Sequence, residues 1–247
     1  HQFFSRVAKA PETMDLILLA VKNYQLASAI EDMRPFVGEE TILLPLLNGI
    51  TAVEELEKAF PGHTVLEGLA IGVDAVRNPD GVVNLADGVI QFGPLNAPEQ
   101  QKDALLVKEY LDGCHMPNEY YEDMTWAMWR KWMLNVGINQ VSALGEVPYD
   151  GVAQVPESMQ LLREAMTEVA MLAQAKGINL GEKEVEGFVS MMEKFSPEGK
   201  TSMCQDVENH RKTEIENFAG HVVELGKELG VDTPVNRVIY YVLKAKE

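Results

Sequence analysis

Apolar residues follow one pattern in the first half of the 247-residue chain and another in the second half. The first half contains unbroken apolar runs within residues 15–22 and 41–47. Such runs are typical of strands that are buried on both faces, as in a parallel sheet. Pro45 lacks the N–H that a central strand position donates, so it indicates an edge or an irregularity in the second strand.

Helical spacing fills the segments after these two strands. Residues 25–36 carry apolar side chains three and four positions apart, which predicts a helix. Residues 51–60 predict a second helix, with Thr51 and Glu54 in the spacing of a capping box. The order strand, helix, strand, helix predicts an α/β fold.

Shorter elements complete the first half. Residues 65–73 predict a third strand, and residues 98–111 predict a helix that Gly113 closes. Residues 117–122 read as a short strand or a linker. A hairpin is predicted around Asp87-Gly88, because that dipeptide favours a tight turn and apolar segments flank it at residues 82–85 and 89–92. The sheet is therefore expected to be mixed.

From residue 123 onward the pattern is wholly helical. Gly177 and Gly230 are typical helix stops, and Pro234 is typical of a first helical turn. We therefore expect two domains, an α/β domain at residues 1–122 and an all-α domain at residues 123–247. The five helices predicted in the second domain cover residues 124–144, 156–176, 182–195, 203–229 and 234–246.

Charge and composition narrow the classes of function. The chain has 38 acidic against 21 basic residues and a formal net charge of -17. Nucleic acids and anionic membranes attract clustered lysine and arginine, so neither is expected as a partner. The longest apolar run is far shorter than the ~20 residues that span a bilayer. Two cysteines, with no Cys/His cluster, indicate a reducing cytoplasm and neither disulfides nor a metal site.

A polar row on the predicted helix at residues 124–144 is the first candidate for chemistry. Lys131, Asn135 and Asn139 are spaced i, i+4, i+8, and apolar residues flank them on both sides. Such a row either lines a cleft or forms a structural hydrogen-bond network between helices, because burying it unpaired is costly. In a cleft, the pKa of the lysine can fall towards neutrality, which suits a general acid.

A second candidate lies near residue 202. Ser202 and Gln205 have the spacing of a capping box, which predicts a helix start there and places Glu214 about three turns further along. The segment is either a capped, solvated helix or a site where the helix start and the hydroxyl receive a substrate carboxylate.

Two polar groups follow the first two strands. Lys22 ends the first strand and Asn48 ends the second. Ligands of open parallel sheets bind beyond the carboxyl ends of the strands, so both residues are candidate ligand contacts. The alternative is that Lys22 only marks where the strand meets water and that Asn48-Gly49 is only a turn.

Together these residues resemble the ketopantoate reductase (2-dehydropantoate 2-reductase) family. The resemblance extends over nearly the whole chain, and its motifs are specific in combination rather than singly. The matching segments are Val21-Lys22-x-x-Gln25, Asn48-Gly49, Lys131-x3-Asn135-x3-Asn139, Ser202-Met203-x-Gln205-Asp206 and Arg211-x-Thr213-Glu214-Ile215.

The resemblance implies a fold and a reaction. The fold would be an incomplete Rossmann-type N-terminal domain followed by a helical 6-phosphogluconate-dehydrogenase-like C-terminal domain, with NADPH and substrate in the cleft between them. The reaction would be NADPH-dependent reduction of ketopantoate to pantoate in pantothenate biosynthesis. Hydride addition builds negative charge on the carbonyl oxygen, and a proton donor placed there stabilises that charge.

Residue roles follow from the same resemblance. Lys131 matches the general acid, and Glu214 matches the acid that engages the substrate hydroxyl and the cofactor side. The other matches are substrate contacts at Asn135, Asn139 and Ser202, and cofactor contacts at Lys22 and Asn48. The helical half is also a candidate homodimer surface.

Two departures from the family pattern leave alternatives open. Tyr149 stands where some members have an asparagine, so another small 2-keto acid is an alternative substrate. The chain starts at His1 and contains no GxGxxG phosphate-binding turn. We therefore expect that the opening strand–turn–helix unit of the first domain is missing. A cofactor-free binding or assembly module is then the alternative to an enzyme.

Overall fold

The structure is a computed structural model and describes residues 13–78, 81–94, 97–192 and 195–247. The chain divides into two compact units, one ending at Met128 and the other running from Trp129 to Glu247. In the described part of the chain, no helix has the length and apolar character needed to cross a membrane.

Among its described residues, the first unit has five strands and three α-helices. Strands β1 and β2 pair in parallel. Residues 64–66 also pair with β2 in parallel, by hydrogen bonds to the backbone of Leu43. Strands β3, β4 and β5 form a separate three-stranded sheet, in which β3 and β4 pair antiparallel and β5 adds to β4 in parallel. A mixed sheet is thus present, as predicted, but it does not include β1 and β2. The elements are β1 (Met14–Leu19), α1 (Leu26–Met33), β2 (Val37–Pro45), α2 (Ala52–Ala59), β3 (Glu67–Asn78), β4 (Gly81–Gly93), α3 (Gln101–Gly113) and β5 (Asn118–Tyr120).

Helices cover both faces of the parallel strands. Helices α1 and α2 pack on one face, where Leu26, Leu56 and Leu43 are fully buried. Helix α3 packs on the other face, where Leu44 and Leu111 are fully buried. The two consecutive strand residues Leu43 and Leu44 point to opposite faces, as a strand requires. An α/β layer architecture is thus formed from the apolar runs that predicted it.

The predicted hairpin at Asp87-Gly88 is wrong. Both flanking segments belong to the single strand β4, whose pairing with β3 closes between Asn78 and Gly81. Gly88 adopts φ +67° and lies opposite Gly72, which adopts φ +65°. A Cβ on Gly88 would lie 2.5 Å from the carbonyl oxygen of Ile71. Gly88 therefore stands where the backbone of β3 approaches β4 closely, inside a strand and not in a turn.

The residues described in the second unit form helices joined by loops and no strand, as predicted. Helix α4 (Thr125–Leu134) passes without a break into a π turn at Asn135–Asn139 and then into α5 (Gln140–Gly145). The remaining helices are α6 (Tyr149–Ala153), α7 (Pro156–Ala175), α8 (Glu182–Met191), α9 (Ser202–Glu208), α10 (Ala219–Leu229) and α11 (Pro234–Lys246).

The prediction of one helix over residues 203–229 is wrong. Helix α9 ends at Glu208, His210 adopts φ +51°, and α10 begins only at Ala219. Arg211 folds back on α9, because its Nε donates to Asp206 Oδ1 at 2.9 Å and its backbone N–H donates to Asp206 O at 2.8 Å. These bonds replace the helical pattern after the end of α9. The amphipathic spacing alone does not reveal them.

Candidate functional site

The carboxyl ends of β1 and β2 bring two of the predicted residues to one edge of the first unit. The register pairs Leu19 with Pro45, so both strands end side by side, and Lys22 and Asn48 follow them in partly buried positions. The turns after the strands are tied together, since Asn23 Nδ2 donates to Thr51 Oγ1 at 3.2 Å.

The same bond corrects the expected capping box. Thr51 stands at the N-cap position of α2, as predicted, but its side chain makes no capping bond and accepts from Asn23 instead. The prediction was right about where the helix begins and wrong about the hydroxyl. The hydroxyl of Thr51 accepts a hydrogen bond from Asn23 in another turn, and the local spacing around Thr51 does not reveal that partner.

The charge state of Lys131 is strongly affected by its surroundings in the second unit. Burial lowers the pKa of Lys131 to about 8, because desolvation disfavours the charged ammonium, and the Glu214 carboxylate opposes this shift. Glu214 is itself buried, with 4% of its surface exposed. The partly buried Lys131 and the buried Glu214 therefore interact electrostatically, although they are far apart in the sequence.

The polar row extends from Lys131 into the π turn. Asn135 begins that turn and is partly buried, whereas Asn139 ends it and is buried. The sequence predicted the helix and the row, but it did not predict the π turn. Gly137, in the middle of the π turn, lies so close to Met166 on α7 that a Cβ at this position would be 2.6 Å from Met166 Cγ.

The sequence predicts that Ser202 caps α9, and this prediction is wrong. Thr201 is the N-cap, and its hydroxyl accepts from the backbone N–H of Cys204 at 3.1 Å. Ser202 is the first residue of the helix and is exposed. Both residues have the right chemistry for a cap, and burial decides between them, since Thr201 is 2% exposed.

Glu214 lies in the non-helical segment after α9, not on a helical turn. Its neighbour Thr213 donates from Oγ1 to Glu247 Oε1 at 2.6 Å, and the backbone N–H of Thr213 donates to the same oxygen at 3.0 Å. This double contact with the residue that follows α11 fixes the backbone next to Glu214. The position of Glu214 therefore depends on a contact that is distant in sequence.

Buried polar residues that the sequence did not single out lie behind the π turn. Gln140 is fully buried, and Asn236 and Glu168 form hydrogen bonds with one another in the same interior. Gln140 lies at helical spacing from the apolar residues Met133 and Val136, and only its polar side chain in that position indicates an internal network. Within the described residues, no group of three or more acidic, histidine or cysteine side chains could hold a metal ion.

Comparison with known families decides the class of the chain. Residues 123–247 match the family model described as "Ketopantoate reductase PanE/ApbA C terminal", and residues 2–97 match "Ketopantoate reductase PanE/ApbA". The chain belongs to the ketopantoate reductase family. The family is one of oxidoreductases, and its Rossmann-like first domain and helical second domain agree with the two units of this structure.

Individual ketopantoate reductases resemble the chain along most of its length. A 2-dehydropantoate 2-reductase of Streptococcus pyogenes is 28% identical over 240 residues, which cover 97% of this chain and 78% of the relative. The structure of the dimeric ketopantoate reductase of Staphylococcus aureus has a TM-score of 0.83 and 24% identity, covering 96% of this chain and 79% of that one. A D-mandelate dehydrogenase solved with NADH has a TM-score of 0.88 and 23% identity, covering 97% and 78%.

Proposed function

We propose that this ketopantoate reductase family member reduces ketopantoate to pantoate with NADPH, and that Lys131 is the general acid. The observation that carries the proposal is the lowered pKa of Lys131, which burial brings to about 8 beside Glu214. A general acid works best when its pKa lies near the operating pH. A lysine with an ordinary pKa of about 10.4 would hold its proton too strongly for this role.

The proton of Lys131 compensates the charge that develops during the reaction. When NADPH is bound, its nicotinamide supplies the hydride that adds to the 2-keto carbon. The Lys131 ammonium then donates a proton to the carbonyl oxygen, which becomes the hydroxyl group of the product. Because the lysine is largely desolvated, its interaction with that oxygen is stronger than it would be in water.

The surrounding residues hold the substrate in this proposal. Asn135 and Asn139 lie on the same helical segment as Lys131, and amides at these positions orient a keto acid by hydrogen bonds. Glu214 accepts from the substrate hydroxyl and keeps negative charge near the lysine. Ser202, exposed at the start of α9, donates to the substrate carboxylate.

Residues of the first unit fit a dinucleotide. Lys22 and Asn48 stand at the adjoining carboxyl ends of two parallel strands, which is where open α/β sheets bind ligands. Gly49 adopts φ +94°, so the backbone turns sharply at this edge. We propose that Lys22 and Asn48 contact NADPH, with Asn48 near the nicotinamide and Glu214 as a further cofactor contact.

Substitution of Lys131 tests the proposed acid. Lys131→Ala should lower kcat/KM for ketopantoate reduction by about 10²- to 10⁴-fold, the usual contribution of a positioned general acid. The assay is NADPH oxidation, run in parallel with NADH. Lys183→Ala on α8 is the matched control, since Lys183 is exposed to solvent, and it should retain full activity. Full activity of Lys131→Ala would exclude the acid role.

Another small 2-keto acid is the second candidate substrate. The ring of Tyr149 stacks at 4.9 Å against Phe195, so an aromatic surface stands where some family members have an asparagine. The same assay with a panel of aliphatic and aromatic 2-keto acids ranks the substrates by kcat/KM. Titration with NADPH tests the alternative that the chain is a cofactor-free binding or assembly module. Tight binding of NADPH would exclude that alternative.

A further inference from the structure

The π turn changes which side chains align with Lys131. In an uninterrupted α-helix each i, i+4 step advances about 40° around the axis, so Asn139 would stand about 80° from Lys131. A π turn has i→i+5 hydrogen bonds, so it accommodates about one more residue per turn and turns the following positions back. The turn at Asn135–Asn139 therefore returns Asn139 towards the side of the helix that carries Lys131.

A buried amide holds this π turn. Gln140 Nε2 donates to the carbonyl oxygen of Val136, inside the turn, at 2.6 Å. The same nitrogen donates to Asn236 Oδ1 at 3.1 Å, and Gln140 Oε1 accepts from the backbone N–H of Ala219 at 2.8 Å. Gln140 is fully buried, so these bonds do not compete with water.

Two further helices fix that amide from behind. Asn236 Nδ2 donates to Glu168 Oε2 at 2.7 Å and to Ala165 O at 3.1 Å, both on α7. Glu168 also accepts from the backbone N–H groups of Val235 and Asn236 at 2.7 and 2.9 Å, which caps the first turn of α11. The acceptor that orients Gln140 is therefore itself held in one orientation.

We propose that Gln140 is a positioning residue that acts through Asn139. It maintains the π turn, and the π turn keeps Asn139 in line with Lys131 for the keto acid. The proposal rests on the proposed function for its kinetic consequence, whereas the link between Gln140 and the π turn stands on the structure alone. Gln140 itself touches neither substrate nor cofactor in this account.

Gln140→Met tests the proposal, because methionine has a similar length and no amide. A crystal structure of the variant should show continuous α-helix through residues 135–139, with Asn139 turned away from Lys131. In kinetics, kcat/KM for the keto acid should fall about 100-fold, as expected for a misplacement of about 1 Å, while the KM for NADPH stays within about twofold. Gln174→Met is the matched control, because it removes an amide that donates to Leu180 O in the same unit. It should change neither the π turn nor kcat/KM.

A double-mutant cycle separates positioning from general destabilisation. If Gln140 acts through Asn139, the double variant Gln140→Met/Asn139→Ala should be no slower than the slower single variant, within about twofold. Losses that multiply would overturn the proposal, and so would a π turn that persists in the Gln140→Met structure. If the wild type reduces no 2-keto acid, the proposed function fails, and the crystal structure alone then decides whether Gln140 maintains the turn.

Gln140→Glu covers the case in which the methionine variant does not fold. At acid pH the neutral carboxyl group can still donate to Val136 O, whereas the carboxylate cannot. We expect kcat/KM of this variant to fall with rising pH at an ionisation that the wild type lacks, and to recover fully on return to acid pH. A pH profile that matches the wild type would overturn the proposal.

Discussion

At the scale of single residues, desolvation shifts the pKa values of two ionisable side chains in opposite directions. It lowers the pKa of Lys131 to about 8 in the second unit and raises the pKa of Glu67 to about 8 in the first. In both cases burial favours the neutral form, which is the unprotonated lysine and the protonated glutamate. The two groups differ in their surroundings, since Glu214 opposes the shift of Lys131 whereas Asp123 and Glu57 reinforce that of Glu67.

The pH dependence of reduction should follow Lys131. A general acid must be protonated, so kcat/KM should fall as the pH rises through about 8. Glu214 holds the pKa of Lys131 up, and Glu214→Gln should therefore move this fall to lower pH, besides lowering the maximal rate. Glu216→Gln, an exposed glutamate two residues away, is the control and should leave the basic limb unchanged. A basic limb that stays in place in Glu214→Gln would contradict the pairing.

Glu67 should make stability depend on pH. Its pKa is raised from 4.5 in the unfolded chain to about 8, so its contribution is fully present below pH 4.5 and is lost as the pH rises to about 8. At about 1.4 kcal/mol per pKa unit, the loss is on the order of a few kcal/mol. Glu67→Gln should flatten this dependence in urea unfolding between those pH values.

Glu99→Gln is the control for that experiment, because Glu99 is exposed to solvent. It should keep the slope of the wild type. The physical basis is that Glu67 is 6% exposed and its Oε2 has no hydrogen-bond partner among the described residues. An equal slope in wild type and Glu67→Gln would show that Glu67 is solvated in solution.

At the scale of elements, the π turn is held by close packing as well as by hydrogen bonds. Gly137→Ala would place a Cβ 2.6 Å from Met166 Cγ, and the cost of such overpacking is typically about 1–3 kcal/mol. Gly187→Ala on α8 is the opposite case, because nothing lies within 4 Å of its Cβ position. It should raise the unfolding free energy by about 0.5–1 kcal/mol. Chemical denaturation of both variants measures the contrast, and equal effects would refute it.

Elements with a strong local pattern were predictable, and elements that depend on distant partners were not. The apolar run of β2 and the spacing of α7 predicted their type correctly. The break after Glu208 was not predicted, since it depends on Arg211 folding back on Asp206 and on Thr213 contacting Glu247. The apolar spacing continues across this break, so periodicity alone indicates one long helix.

At the scale of the whole molecule, the net charge of -17 is the dominant property. Like charges repel one another in the compact state, and salt screens that repulsion. Raising the ionic strength from about 0.01 M to about 0.15 M shortens the screening length from about 30 Å to about 8 Å. We expect the thermal midpoint to rise over this range, measured by calorimetry in sodium chloride. A midpoint that falls would mean that attractive ion pairs dominate instead.

The sequence by itself determined the family, the α/β and helical halves, and the residue types available for a keto acid reductase. These follow from periodicity and from short motifs, which are local properties of the chain. Only the tertiary structure decided that Glu214 acts electrostatically on Lys131, that Thr201 rather than Ser202 caps α9, and that a π turn bonded by Gln140 ends at Asn139. The reason is physical: desolvation, and the choice between competing hydrogen-bond partners, depend on what surrounds a side chain in space.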